Sequence, residues 1–468
     1  MKLQNSYSKL PERFFRKVKA ASFSAPKLLA FNRELAQELG LDVKEEELAA
    51  IFSGQKLMEG SDPLAMAYAG FQFGHAVPEL GDGRALLLGE INGFDIQLKG
   101  SGQTPFSRRG DGRSALGPVI REYLVSESMN VLGVPTTRAL AAVSTGEIVN
   151  RQFGPEPGGV FTRVASSHIR VGTFQYFAFR QDHEALEILL NYTVNRHYPH
   201  LASLPLKEKA LSLLQEFATR QGDLIAQWSA LGFIHGVMNT DNCSLAGITI
   251  DYGPCAFMDE FKFHKVFSSI DERGRYSFFN QVPIIQWNIL RLADCLLPLI
   301  DSDQDKAVQV VEENLHIILN SFGQRRLQAF ARKLGISDYT QEDESLVMNF
   351  LQYLEKENLD FTLAHRHLPK LFAGDYEGYV MQPSLIEFVS QWKSRVNSVD
   401  HLHEINPLYI PRNHQVQKCI DLAYQGDMSH FERMLKVLQR PFDIQAGEDE
   451  FARGPAASEA VTRTFCGT

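Results

Sequence analysis

The hydrophobic and polar positions divide the chain into a strand-like first part and a helix-like second part. In the first third, short apolar runs alternate with glycine-rich turns, a pattern typical of strands. From about residue 205 onward, apolar residues recur at helical spacing, as Leu214, Ala218 and Ile225 do. We therefore predict an α+β chain with two lobes, a strand-rich N-terminal lobe and a larger helical C-terminal lobe, with a cleft between them.

Residues 84–100, with the sequence RALLLGEINGFDIQLKG, predict a β-hairpin. Two apolar runs flank Asn92 and Gly93, a pair that tolerates the positive φ angles of a tight turn. Lys99 stands at the end of the second predicted strand. The hairpin therefore places a lysine at one edge of the predicted cleft.

A helix is predicted after the polar loop of residues 100–117. Pro118 suits its first turn, and its apolar stripe consists of Ile120, Leu124 and Val131. Glu122 lies on this helix, where it could pair with Lys99 of the hairpin in the way that the strand lysine and helix glutamate of kinases pair. The ordinary alternative is that both side chains are solvated on the surface.

Composition narrows the classes of protein. The chain has 468 residues, 44% of them hydrophobic and 22% charged, and a net charge of −9, which argues against a nucleic-acid or membrane-surface partner. We find no apolar run long enough to span a bilayer. The five cysteines show no C-x-x-C spacing, so a reducing compartment without structural zinc is expected. We expect a cytoplasmic monomer, or a mitochondrial one if the source is eukaryotic.

The segment HGVMNTDN (235–242), followed by DYGP (251–254), carries a candidate metal site. Asn242 and Asp251 offer the oxygen ligands that Mg²⁺ prefers, at the spacing that kinases use to hold it against a triphosphate. Kinases keep their catalytic aspartate two residues after the histidine, where this chain has Val237. Asp241 is either an ordinary turn residue or the base that takes the acceptor's proton instead.

Glycine and arginine motifs supply candidate phosphate ligands. The sequence GDGR occurs at 81–84 and again at 110–113, on either side of the lysine-bearing hairpin. Such glycines allow backbone amides to approach an anion, although most GDG sequences are simple turns. Arg163 and Arg170 lie in TRVASSHIR, and their spacing alone predicts two surface arginines unless the chain turns between them.

Longer strings in the chain resemble one known family. They are LPERFF, GDGR, LKGSGQTPFSRRGDGRSALG, IREYLVSE, GVPTTRAL, TRVASSHIR, HGVMNTDN, DYGPCAFMD, NPLYIPRNH and the terminal FCGT. Together they closely resemble the selenoprotein O family, from about residue 10 to the end of the chain. The resemblance implies a protein-kinase-like fold that binds ATP in a flipped orientation and transfers AMP to Ser, Thr or Tyr hydroxyls of other proteins.

The resemblance also implies roles for individual residues. Asp241 would be the proton acceptor, and Asn242 and Asp251 would hold Mg²⁺ or Mn²⁺, with UTP a further candidate donor when Mn²⁺ is bound. Glu122 would pair with Lys99. The residues implied to contact the nucleotide are Gly81, Gly83, Arg84, Lys99, Asp111, Gly112, Arg163 and Arg170.

The chain departs from the family pattern near its C-terminus. Cys466 occupies the position at which the family name implies selenocysteine. The loop of residues 260–278, where some members carry a partner cysteine, has none, and Cys255 is the nearest candidate. Redox control by a tail disulfide is therefore not expected.

The predicted organisation has three parts. Residues 1–165 form the N-terminal lobe with the nucleotide-binding hairpin, residues 166–445 form the helical lobe with the metal site, and residues 446–468 form a flexible tail. Two other functions remain open, a kinase that transfers the γ-phosphate and a catalytically silent pseudokinase scaffold. Val237 argues against the first, and the presence of Lys99 together with both metal ligands argues against the second.

Overall fold

The computed structural model describes residues 2–152 and 154–465, and it has the mixed α/β organisation that the sequence predicts. The strands concentrate in the N-terminal part and the helices in the C-terminal part. In the described part of the chain the strands are β1 (Phe15–Lys17), β2 (Lys27–Phe31), β3 (Leu64–Met66), β4 (Gly70–Gln72), β5 (His75–Val77), β6 (Ala85–Ile91), β7 (Phe94–Lys99), β8 (Ser114–Ala115), β9 (Arg138–Arg151), β10 (Gly154–Ala165), β11 (Phe233–Ile234) and β12 (Ala256–Phe257).

The main sheet is antiparallel and has the strand order β1-β3-β6-β7-β10-β9-β2, with β8 paired to β10. The predicted hairpin of residues 84–100 is confirmed as β6 and β7, and both turn residues, Asn92 and Gly93, have positive φ angles. Across β7 and β10, Lys99 pairs with Phe161, and Gln97 pairs with Arg163. Since alternate residues of a strand share a face, Lys99, Gln97 and Arg163 lie on the same side of the sheet.

The helices are α1 (Arg33–Glu38), α2 (Leu48–Phe52), α3 (Leu116–Val131), α4 (Val171–Ala178), α5 (His183–His197), α6 (Leu206–Ala230), α7 (Gln281–Ile300), α8 (Gln304–Asn320), α9 (Phe322–Lys333), α10 (Glu344–Lys356), α11 (Phe361–Arg366), α12 (Leu368–Ala373), α13 (Pro383–Arg395), α14 (Leu402–Ile405), α15 (Asn413–Tyr424), α16 (Ser429–Leu438) and α17 (Asp449–Ala452). The predicted helix after the loop of residues 100–117 is α3, with Pro118 in its first turn. Ile120 and Leu124 are buried as predicted, but Val131 is exposed because it stands in the last turn, where the helix leaves the core.

One hydrophobic cluster joins the strands to the helices. It includes Phe14 and Leu87 from the N-terminal part and Phe174, Phe217 and Ile289 from α4, α6 and α7. A second cluster packs α15 and α16 against α3, so that the C-terminal helices support the helix that carries Glu122. The core therefore continues beneath the predicted cleft.

The structure packs part of the segment that we expected to be flexible. Phe451 of α17 is buried against the α3 cluster, because it is a large apolar side chain in an otherwise polar stretch. The Thr464 amide donates to the Phe267 carbonyl at 2.8 Å, and the Thr464 hydroxyl donates to the Pro254 carbonyl at 2.6 Å. Cys466 lies outside the described residues.

The expectation about apolar runs needs a correction. By length and composition alone, residues Phe278–Ile300, which include α7, could cross a membrane. Half of the most apolar stretch is buried inside the protein. This burial is typical of a core helix, and α7 packs in the main hydrophobic cluster through Ile285, Ile289 and Leu292.

Candidate active site

A cavity of about 810 Å³ brings all the predicted site residues together. The main sheet and its loops contribute both GDGR segments, Lys99 and Arg163, and helix α3 contributes Glu122. The start of α4 contributes Arg170. The connection between β11 and β12 contributes Asp241, Asn242 and Asp251. Residues far apart in sequence thus share one site.

Four charged side chains form a cluster in the cavity wall, with Glu122 and Arg163 buried and Lys99 and Asp251 partly buried. The Lys99 ammonium lies 2.6 Å from Glu122 Oε2 and 2.6 Å from Asp251 Oδ1. The Arg163 Nη1 atom lies 2.7 Å from the same Asp251 oxygen and 3.5 Å from Glu122. Two cations thus share two carboxylates, and the predicted pair between Lys99 and Glu122 is present.

Asp251 is held in an unusual state by this cluster. Its φ angle is +63°, a left-handed conformation that non-glycine residues adopt rarely and mostly at functional sites. Burial alone would raise the pKa of Asp251, but the charges of Arg163, Lys99 and Arg170 outweigh it and hold that pKa well below the ordinary value. The carboxylate is therefore ionised over the whole physiological pH range.

Arg170 faces the cavity with one unpartnered nitrogen. Its Nε donates to the His168 carbonyl and its Nη1 to the Asp241 carbonyl, both at 3.2 Å. Its Nη2 is buried without a hydrogen-bond partner and lies 4.0 Å from Asp82 Oδ1. A buried guanidinium N–H that faces a cavity is suited to a phosphate oxygen.

The expectation of two surface arginines, drawn from spacing alone, is wrong. The side chains of Arg163 and Arg170 are each only 2% exposed. The chain leaves β10 after Ala165, and Arg170 caps the N-terminus of α4. This turn between the strand and the helix returns both guanidinium groups to the same cavity.

The two glycine motifs approach the cavity closely. At Gly81, which has a φ angle of +67°, an added Cβ would lie 2.2 Å from the Phe106 ring. At Gly112, also at +67°, it would lie 2.2 Å from the Gly102 carbonyl oxygen. Only glycine fits either position, so the second GDGR is also built into the cavity wall. Beside it, Asp111 is half exposed and pairs with Arg151 at 2.8 Å.

Asp241 is a buried carboxylate with unused hydrogen-bonding capacity. Its residue exposure is 9%, its Oδ1 has no partner, and its Oδ2 is 3.5 Å from the Gln72 side-chain amide. Burial raises the pKa of Asp241 to about 6, against an opposing effect of Arg170. Such a carboxylate is ionised at neutral pH and is a stronger base than an ordinary aspartate.

Asn242 and Asp251 fit a divalent cation by the chemistry of their donors. The Asn242 amide nitrogen donates to the Val237 carbonyl at 3.0 Å, which leaves its carbonyl oxygen available as a ligand. One amide oxygen and one carboxylate, completed by phosphate and water oxygens, make a typical Mg²⁺ environment. No cluster of three or more His, Cys, Asp or Glu side chains suited to a metal occurs among residues 2–152 and 154–465.

His235 has a structural role. Its ring stacks on Trp228 with centroids 5.4 Å apart, and its Nε2 lies 2.9 Å from the Ile250 carbonyl oxygen. The histidine thus links α6 to the irregular segment that leads into Asp251. Val237 lines the cavity.

Several cavity residues were not predicted. Asp82 lies inside the first GDGR, and its carboxylate accepts hydrogen bonds from the Met66 amide and from Gln97, both at 3.1 Å. Tyr68 lies beneath the Arg170 guanidinium, 4.3 Å from its ring centroid. The aspartate in the GDGR motif could have identified Asp82, whereas no local sequence pattern indicates that Tyr68 lines the cavity.

Arg163 and Arg170, two glycine turns and the oxygen donors of Asn242 and Asp251 line one cavity. These groups are suited to a ligand that carries phosphates together with a divalent cation. A buried carboxylate such as that of Asp241, beside groups that suit phosphates and a metal ion, is typical of enzymes that transfer part of a nucleotide to a hydroxyl group.

Comparison with known proteins identifies the family. The family described as protein adenylyltransferase SelO matches residues 1–439. The protein nucleotidyltransferase YdiU of Agrobacterium fabrum is 49% identical over an alignment of 489 positions that covers 100% of both chains. The protein of the same name from Rhodopseudomonas palustris strain HaA2 is 49% identical, covering 99% of this chain and 98% of its own, and that from Bradyrhizobium diazoefficiens is 47% identical, covering 99% of each. The chain belongs to the SelO family, and it is an enzyme of the nucleotidyltransferase class.

Proposed function

We propose that this protein transfers AMP from ATP to Ser, Thr or Tyr hydroxyls of target proteins, with the ATP bound in the flipped orientation. One observation carries the proposal. Lys99, Arg163 and Arg170 surround Asp251, while the buried carboxylate of Asp241 stands close by on the same cavity wall. Cations for a leaving group and a base for an acceptor are thus side by side.

The concentration of positive charge in one part of the cavity supports the flipped orientation that the family resemblance implies. Lys99, Arg163 and Arg170 can bind the β- and γ-phosphates, which leaves the α-phosphate towards Asp241 and the acceptor. The two GDGR segments, through Gly81, Gly83, Arg84, Asp111 and Gly112, contact the rest of the nucleotide. In this arrangement no base is needed at position 237. The presence of Val237 where kinases have their catalytic aspartate therefore agrees with AMP transfer.

In the proposed reaction, the oxygen of the acceptor hydroxyl forms a bond to the α-phosphorus, and Asp241 accepts the proton of that hydroxyl. The bond between that phosphorus and the oxygen bridging to the β-phosphate breaks, and pyrophosphate leaves. Lys99, Arg163 and Arg170 offset the charge that develops on pyrophosphate, the kind of electrostatic stabilisation that supplies much of the rate in such sites. Glu122 orients Lys99 through their 2.6 Å contact.

Asn242 and Asp251 would hold Mg²⁺ or Mn²⁺. A bound divalent cation supplies charge neutralisation at the phosphate oxygens. With Mn²⁺, UTP is a further proposed donor, which would give UMP transfer.

The proposal includes the organisation drawn from the sequence. We propose a protein-kinase-like fold with lobes at residues 1–165 and 166–445, a cytoplasmic monomer, and no nucleic-acid or membrane partner. The mixed α/β architecture, the net charge of −9 and the bacterial sources of the relatives support this view.

Labelled ATP tests the function directly. The purified protein is incubated with Mg²⁺ or Mn²⁺ and ATP labelled at either the α- or the γ-phosphate, beside an Asp251→Ala variant. We expect protein-bound label only from α-labelled ATP and none with the variant. Label only from γ-labelled ATP would make the enzyme a kinase, and metal-dependent ATP binding without transfer would favour a scaffold.

A further inference from the structure

A short hairpin outside the main sheet contacts the segment that carries Asp241. It consists of β4 and β5, which pair only with each other in the described chain. The Phe71 amide donates to Thr240 Oγ1 at 2.7 Å, and the Phe73 amide donates to Asn239 Oδ1 at 3.1 Å. The residue between them, Gln72, directs its side-chain amide at Asp241 Oδ2.

Gly70 of this hairpin packs closely against the side chain of the proposed base. A Cβ at Gly70 would lie 2.6 Å from Asp241 Oδ1 and 3.1 Å from Asp241 Cβ. The φ angle of Gly70 is outside the left-handed region, so an alanine there is not strained in its own backbone. Its Cβ would conflict most strongly with the Asp241 side chain and would also lie 3.1 Å from Leu80 Cδ1. The glycine therefore provides the space in which the carboxylate stands.

The strand has little freedom to move away from Asp241. The Ala69 amide donates to the Gly172 carbonyl at 2.9 Å in the first turn of α4. A Cβ at Gly172 would lie 2.1 Å from the Ala69 carbonyl oxygen, which shows how closely the two backbones pack. Because the contact with Asp241 Oδ1 is the tightest, a larger residue at position 70 should displace Asp241, with a smaller shift of Leu80, or disrupt the contact with α4.

Packing and one amide set the orientation of Asp241. Its Oδ1 has no hydrogen-bond partner, so Gly70 limits its position only by contact. Gln72 supplies the amide at Oδ2, with a nitrogen-to-oxygen distance of 3.5 Å. We propose that Gly70 and Gln72 are positioning residues that hold the Asp241 carboxylate in line with the acceptor hydroxyl, an inference that rests on the proposed function.

The kinetic test compares Gly70→Ala with Gly323→Ala in the full-length enzyme. A Cβ at Gly323 meets no atom within 4 Å, so that variant is the matched control. Transfer from α-labelled ATP is measured with poly(Glu,Tyr) and the protein's own hydroxyls as acceptor probes. We expect Gly70→Ala to lower kcat about 10- to 100-fold, the usual cost of a misplaced catalytic group, with an unchanged KM for ATP.

A double-mutant cycle separates positioning from general damage. In an Asp241→Asn background there is no carboxylate base to misplace. Gly70→Ala should therefore lower kcat less than 2-fold in that background, because its effect acts through Asp241. Gln72→Ala should lower kcat about 3- to 10-fold in the unaltered background and little in the Asp241→Asn background. Equal losses in both backgrounds, or an unchanged kcat for Gly70→Ala, would overturn the proposal.

A crystal structure of Gly70→Ala decides the geometry without reference to activity. We expect the Asp241 carboxylate to be displaced by about 1 Å or more, because Cβ atoms essentially never lie 2.6 Å from a neighbouring oxygen. An unmoved carboxylate would contradict the positioning role. If the unaltered enzyme labels no acceptor from α-labelled ATP, the proposed function fails, and the crystal structure still tests the contact itself.

Discussion

Two groups of charged side chains line the cavity and differ in their exposure to solvent. The inner cluster consists of Lys99, Glu122, Arg163 and Asp251, and the outer loop carries Arg108 and Arg109. In the cluster, Arg163 is 2% exposed and bound to two carboxylates. In the loop, Arg108 and Arg109 are exposed, and within the described residues their side chains make no ion pair or hydrogen bond. Buried, paired charges are pre-organised, whereas exposed ones reorganise at little cost.

The comparison teaches where function depends on geometry. The inner cluster keeps its geometry only if every partner is present, since removal of one leaves another charge buried and uncompensated. The outer arginines can attract an anionic nucleotide without being fixed in place. Substitutions should therefore have large effects on the inner cluster and small effects on the loop.

The largest expected effect is that of Asp251→Ala. It removes the carboxylate that binds Lys99 and Arg163, and with it a proposed metal ligand, so transfer should fall by at least about 1,000-fold. Nucleotide transfer and metal-dependent ATP binding measure the loss. The matched control is Asp338→Ala, because Asp338 pairs with Arg395 on the surface at 2.9 Å and is 76% exposed. Measurable transfer by Asp251→Ala close to the normal rate would remove Asp251 from the mechanism.

Arg163→Met tests whether the inner cluster also supports folding. Glu122 and Asp251 would each lose a buried cationic partner. Lys99 and Arg170 stay near Asp251, but the loss should still lower the free energy of unfolding by about 3–5 kcal/mol. Urea denaturation measures this fall, and ATP binding should weaken as well. The surface control is Arg33→Met, because Arg33 is 68% exposed and pairs with the exposed Glu45 at 2.9 Å. This variant should cost less than about 1 kcal/mol. Equal stability of both variants would show that the inner ion pairs do not contribute.

Lys333 sharpens the comparison because it is buried without a carboxylate. It is 3% exposed, makes no ion pair within the described residues, and burial lowers its pKa to about 7. Lys333→Met should therefore raise the free energy of unfolding by about 2–4 kcal/mol at pH 7.

The pH dependence of that gain has a definite sign. Below the lowered pKa, the folded protein must hold a buried charge, so the destabilisation by Lys333 is complete there. Between the lowered pKa and the ordinary value of 10.5, the unfolded chain binds a proton that the folded protein does not, so stability rises with pH. Urea denaturation at pH 7 and about pH 9.5 should show the gain of Lys333→Met reduced by more than half. A gain that does not vary with pH would mean that Lys333 stays charged when buried.

The smallest expected effect is that of replacing both exposed arginines of the outer loop. Arg108→Ala with Arg109→Ala should lower kcat/KM for ATP about 2- to 5-fold at low salt and less at high salt, because exposed charges are screened. The melting temperature should not change. A loss as large as that of Asp251→Ala would place these arginines in the inner site and remove the distinction.

Local features of the fold were predictable from the sequence. The hairpin of β6 and β7 was predictable, because Asn92 and Gly93 specify a turn between two apolar runs. The start of α3 was also predictable, because Pro118 follows a polar loop. The end of the apolar stripe of α3 was not predictable, since the exposure of Val131 depends on where α3 leaves the core.

The candidate site was predictable in its residue types more than in its contacts. Lys99, Asn242 and Asp251 stand in strings with recognisable spacing. The burial of Arg170 depends on a turn after β10, and the contact between Gly70 and Asp241 joins segments about 170 residues apart. No local pattern encodes such a contact, because tertiary packing alone creates it.

The hydrophobic cluster that joins Phe14 and Leu87 to Phe174, Phe217 and Ile289 has a consequence for how the molecule comes apart. The strand-rich N-terminal part and the helical C-terminal part share this core, so they cannot be separated without exposing it to water. Neither part alone would bury all of its apolar side chains. Heating should therefore give one cooperative calorimetric transition, and limited proteolysis should not release an independently folded half.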